Sequence, residues 1–111
     1  MRNKHEEYIV CAANHHDDGL EHTHTPKNIK TGFVLFGLRH HNCLASLSMI
    51  TKDKSREEHV KLLNNCTFGF LTSDDRFVDR FEALKIAEKQ NQIIQHSAGY
   101  HCKELYSEDI Y

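Results

Sequence analysis

Apolar residues along this chain fall in short blocks separated by polar stretches, and each block has a recognisable period. Residues 8–13 (YIVCAA) form a brief β-prone run, which predicts a strand buried on at least one face. From 14 to 28 the pattern dissolves into His, Asp, Thr and Gly around Pro26, predicting a loop long enough to serve as a lid. Residues 29–37 (IKTGFVLFG) predict a central strand that stops at Gly37, where the backbone must turn or be closely approached. Beyond Arg39-His40-His41-Asn42, the residues Cys43, Leu44, Leu47 and Ile50 recur at helical spacing, with Asn42 placed as N-cap.

A charged stretch over 51–58 then gives way to Val60, Leu62 and Leu63, which predict a second short helix ending near Asn64-Asn65. Residues 67–72 and 76–78 flank the turn-forming Ser73-Asp74-Asp75 and predict a β-hairpin. Asp79 with Glu82 three positions later has the capping-box pattern and opens a helix over 80–91, with Phe81, Leu84 and Ala87 turned inward. Residues 98–111 are expected to close the fold as a terminal strand or an ordered tail. The sum is an α+β fold: one domain over 1–111, a small, mainly antiparallel sheet with two or three helices packed on it.

Composition changes this picture in three respects. A formal net charge of −2 gives no general attraction to a polyanion, so duplex nucleic acid is not an expected partner. Ten histidines, however, make the net charge climb as pH falls through about 6. The four cysteines, Cys11, Cys43, Cys66 and Cys102, contain no C-x-x-C pair, so reduced structural thiols are expected. The longest apolar stretch, 33–38, is far below membrane-spanning length, so the expected location is the cytosol, with no membrane partner.

The segments GFLTSDDRFVDR (69–80) and LYSED (105–109), together with Thr31-Gly32-Phe33-Val34, Gly37 and Arg39-His40-His41-Asn42-Cys43, resemble a group of small bacteriophage and prophage proteins, mostly of unknown function. In similar sequences the hairpin turn usually carries glycine where Asp75 stands here. The resemblance implies a viral origin. At this size the resemblance implies the class of accessory proteins that disarm host defence, which includes sponges that sequester nucleotide immune signals without cleaving them.

Three constellations carry candidate chemistry. At the strand-to-helix junction, Arg39 offers a bidentate guanidinium and His40, His41 and Asn42 offer donors beside a helix N-terminus, a combination suited to phosphate. Arg76 and Arg80 could reinforce it, and Phe77, Phe68 or Phe70 could stack on a base; alternatively Arg80 pairs with Glu82 or the acidic end 107–109, and the phenylalanines are core. A metal set drawn from His22, His24, His40 and His41, with His15-His16-Asp17-Asp18 upstream, matches no established spacing. A Cys43–His40 nucleophile pair and a Glu108/Asp109 base are weaker candidates still.

The expected function is therefore non-enzymatic capture of a small phosphorylated, nucleotide-derived ligand by a homo-oligomer that needs no cofactor. The alternatives are a metal-dependent phosphoesterase or nucleotide hydrolase built on the histidines, and an inhibitor that binds a host protein through loop 14–28.

Overall fold

Four strands, β1 (Ile9–His16), β2 (Phe33–Gly37), β3 (Cys66–Thr72) and β4 (Phe77–Asp79), pair antiparallel in the order β2-β1-β3-β4. The computed structural model describes residues 6–111. Among these residues are also three helices, α1 (His40–Ile50), α2 (Arg56–Asn64) and α3 (Arg80–Lys89), followed by a 3-10 turn at Ser107–Asp109. The α+β class expected from the hydrophobic pattern is what the chain adopts.

The register sorts the side chains. Ala12 lies between Gly37 and Phe70, Asn14 between Leu35 and Phe68, and His16 between Phe33 and Cys66, so these residues share one face. That face carries the core, in which Ile9, Ala12, Phe70 and Val78 pack against Ala83 and Ala87 of α3 and Leu105 of the tail. Covering the opposite face is the segment 17–32: His15 donates to the Thr31 carbonyl and tilts against the Phe77 ring, and the Asn28 amide brackets the Phe77 backbone. The long loop is thus a packed layer.

Several expected boundaries move, each for a physical reason. Residues 14–16 were expected in the loop but extend β1, because His16 is buried by donating to the Leu62 carbonyl and Asn14 is enclosed by its neighbours. Residues 29–32 lie outside β2, since Gly32 turns with φ +86° and a Cβ there would meet the His16 carbonyl. Asn42 is not the N-cap of α1. Arg39 holds that position, and Asn42 sits three residues in, its carboxamide accepting from the Arg39 N–H at 2.9 Å. A Cβ on Gly37 would lie 2.8 Å from Asn42 Cβ, the close approach that its glycine anticipated.

α2 begins earlier than the apolar pattern indicates, because Ser55 caps it by accepting from Glu58 N–H and Glu57 and Glu58 favour the positive end of its dipole. In α3, Asp79 caps as expected, accepting from Glu82 N–H, but the helix ends at Lys89 and Phe81 is 53% exposed. Ala83 and Ala87 are fully buried, small enough to bring the helix close to the sheet, and Leu84 packs partly buried against the core; Leu84 and Ala87 are thus turned inward as expected. Residues 98–111 form an ordered tail and no strand. Asp109 organises it by accepting from Ser97 and the Tyr106 N–H, while Leu105 N–H bonds the Arg80 carbonyl. The hairpin forms as expected, with Asp75 in the left-handed region at φ +59°.

Candidate functional site

The strand-to-helix junction is built tightly. The Arg39 guanidinium donates to the Tyr111 main-chain oxygen at 2.8 Å and stacks on the Tyr111 ring, whose hydroxyl in turn accepts from Ala12 N–H. His40 turns into the sheet, donating to the Gly69 carbonyl at 2.8 Å while stacking on Phe68 and meeting Phe70 edge-on. Burial lowers its pKa, and the positive charge of Arg80 adds to that effect against the bond to Gly69. His41 and Asn42 are exposed. The four residues expected to converge on a ligand therefore divide between core and solvent.

Arg76 and Arg80 differ just as sharply. Arg76 grips Glu7 through two hydrogen bonds and reaches Glu82 at 3.1 Å, so its charge is matched and Glu7 is held below the usual carboxylate range. Arg80 takes neither anionic partner considered for it. Its guanidinium lies between the Phe68 and Tyr106 rings, 4.6 Å from the latter, with no hydrogen bond or ion pair among the described residues. Phe77 offers no stacking surface, because it is buried beneath the 17–32 segment. Of the three phenylalanines, Phe70 and Phe77 are core and Phe68 is the partly exposed one.

The described histidines do not form a cage. Among the described residues no three His, Cys, Asp or Glu side chains group as metal ligands. His22 bonds Asp18 and abuts Phe33, whereas His40 is engaged with Gly69, so the set His22, His24, His40, His41 is not brought together. Burial pushes the Cys43 thiol up to about 11, the reverse of what a nucleophile needs.

An open groove lies elsewhere, between the start of the 17–32 segment and the helices. One compartment of about 520 Å³ is lined by the apolar Leu20, Phe33, Ile50 and Leu62 and by His22, Thr51 and Lys54. A second, of about 510 Å³, is bounded by Gly19, Asn64, Asn65 and Thr67. Asp17, Asp18 and Lys61 line both, so the two form one groove with an apolar and a polar end. Phe33 is fixed there by stacking on His16, its cross-strand neighbour.

The charges in the groove are unequally committed. Asp17 accepts from Gly19 N–H and the Thr31 hydroxyl, which keep its pKa low. Burial works against the Asp18 charge, but Leu20 N–H and His22 outweigh it. Lys54 faces Glu58 at 3.7 Å in an exposed pair of little strength. Lys61 has no carboxylate partner among the described residues. Of the groove residues, only the His22 region and the Asp17-Asp18 pair stand out in sequence. Lys61 and Phe33 become functional candidates only when α2 and β2 bring them to the same groove.

A family model described as phage T4 y16D protein matches residues 8–111, a span that includes every strand and helix and the whole groove. The chain belongs to the phage T4 y16D protein family. That membership agrees with the expected resemblance to small phage proteins. No curated protein and no solved structure matches this y16D-family chain. No helix among the described residues is long and apolar enough to cross a membrane.

Proposed function

We propose that this phage protein is a non-catalytic binding protein that captures a small phosphorylated, nucleotide-derived ligand, acting as a sponge for a host immune signal. The two-ended groove carries the reading. A base would lie at the Phe33, Ile50 and Leu62 end, and a phosphate at Lys61, which makes no ion pair among the described residues although Asp17 and Asp18 line the same groove. Beyond it, Asn64, Asn65 and Thr67 supply neutral hydrogen-bonding groups. A concave site with an apolar wall and a few polar groups is the usual form of a small-molecule pocket. This places the ligand away from Arg39, Arg76 and Phe77, which are engaged in holding the fold.

The test is incubation of the purified chain with candidate nucleotides, including cyclic dinucleotides and ADP-ribose variants, followed by heat denaturation and analysis of the supernatant. Capture predicts recovery of the intact compound and a ligand-dependent rise in melting temperature. Recovery of a converted product assigns a hydrolase instead. A panel in which no nucleotide raises the melting temperature removes the sponge reading and favours a host-protein target.

A further inference from the structure

We propose that the open edge of β2 is a homodimer interface, in which two copies pair β2 with β2 antiparallel about Leu35 and continue the sheet across a twofold axis. This rests on the sheet edges and not on the reading of the groove, although Phe33 belongs to both.

The two edges are built differently. At one, β4 is three residues long, ends in Asp79, and is preceded by Arg76 in its ion pairs with Glu7 and Glu82. Short length and charge are the usual means of keeping an edge from pairing. At the other, β2 runs for five residues, FVLFG, with no charge and no proline. Its only backbone partner among the described residues is β1, so about half of its N–H and C=O groups point outward unpaired. The bulge in this sheet falls between Ile9 and Cys11 and leaves β2 regular. Apolar surface accompanies that backbone: Phe36 is 45% exposed and Leu38 62%.

The sequence of β2 selects a second copy as the occupant. In antiparallel register about Leu35, Val34 faces Phe36 of the other copy on one surface of the sheet. Leu35 faces itself on the other, and Phe33 falls opposite Gly37, where no side chain crowds the ring. Every cross-strand pair is apolar, and the twofold axis makes each favourable pair occur twice. A foreign strand would find no charge here to recognise it. With one copy added, the edges left among the described residues are the two short β4 strands.

Light scattering on the full chain across a wide concentration range is expected to give twice the mass of one chain at its upper end. Phe36→Lys places like charges beside the axis and is expected to yield a monomer with unchanged circular dichroism. Leu63→Lys, an exposed apolar position on α2, is expected to remain dimeric. Hydrogen exchange on the unmodified chain supplies a readout that needs no variant to fold: protection of amides 33–37 should rise with concentration. A chain that stays monomeric throughout overturns the proposal. So does a dimer that survives Phe36→Lys, or exchange at 33–37 that ignores concentration.

Discussion

Helix α1 joins two regions of opposite character. Its first turn lies among Arg39, His40, Phe68 and Tyr111, where rings and charges are packed against one another. Its last residue, Ile50, opens onto the groove with Lys54 and Lys61. By residue type the first region is the richer in binding chemistry. By geometry it is closed, because Arg39 is bonded to Tyr111 and His40 to Gly69. A binding side chain must have hydrogen-bonding capacity left over, and the groove, poorer in arginine and histidine, retains more of it.

The largest effect that separates the regions is expected from His40→Ala. The change removes a ring from between Phe68 and Phe70 and leaves the buried Gly69 carbonyl without its donor. Cavity and lost hydrogen bond together predict a destabilisation of roughly 2–4 kcal/mol in denaturant unfolding. Ligand affinity at a temperature where the variant is folded should not change. A variant of native stability that binds no ligand would return the site to the junction.

Asn14 is expected to show the reverse sign. It is fully buried, and neither atom of its carboxamide has a partner among the described residues. Asn14→Leu keeps the branching of the side chain and removes the desolvation cost of two polar atoms. A gain of about 1–2 kcal/mol in unfolding free energy follows if the site accepts the change without repacking. A loss would mean that the carboxamide acquires a partner in solution.

Acid should act first on the two buried histidines, His40 in the closed region and His16 behind the groove. Burial lowers the pKa of both His16 and His40 from an ordinary value near 6.5. The unfolded chain therefore takes up their protons at a higher pH than the folded one. Stability is expected to be highest above about pH 6.5 and to fall as pH drops through the interval down to the folded-state values. Glu7 and Asp17, whose pKa values are also lowered, add a further loss below about 4.5. Chemical unfolding at a series of pH values should give a slope near pH 6 that is reduced in a His40→Gln variant.

The two regions also differ in how far the sequence revealed them. The hairpin and the Asp79 cap of α3 were legible because each depends on neighbours within a few residues. The end of β1 was not, since Asn14 and His16 are polar residues on the core face and break the apolar period that marks a strand. Phe81 was expected inward and is not, for a similar reason: α3 approaches the sheet through the small residues Ala83 and Ala87 and turns its aromatic ring outward. The packing of the junction was not legible because Arg39 finds its partner 72 positions away, a contact that no local pattern encodes. The groove needed still more, as Asp17, Phe33, Ile50 and Lys61 come from four separate segments.

The smallest expected change in stability is the one that most sharpens the comparison. Lys61 is exposed on α2, with no carboxylate partner among the described residues, so Lys61→Ala should alter unfolding free energy by no more than about 0.5 kcal/mol. If Lys61 meets a phosphate, the same change should weaken ligand binding about tenfold, or roughly 1.4 kcal/mol, measured by calorimetry with a nucleotide that raises the melting temperature. The weakening should diminish as salt is added, because an exposed lysine–phosphate contact is screened. Arg39→Met should behave oppositely, losing the bond to Tyr111 and with it stability, while binding the same nucleotide as the unmodified chain. If Lys61→Ala binds unchanged and Arg39→Met does not, the ligand sits against Tyr111, and the junction is open in solution to an extent that its packing does not suggest.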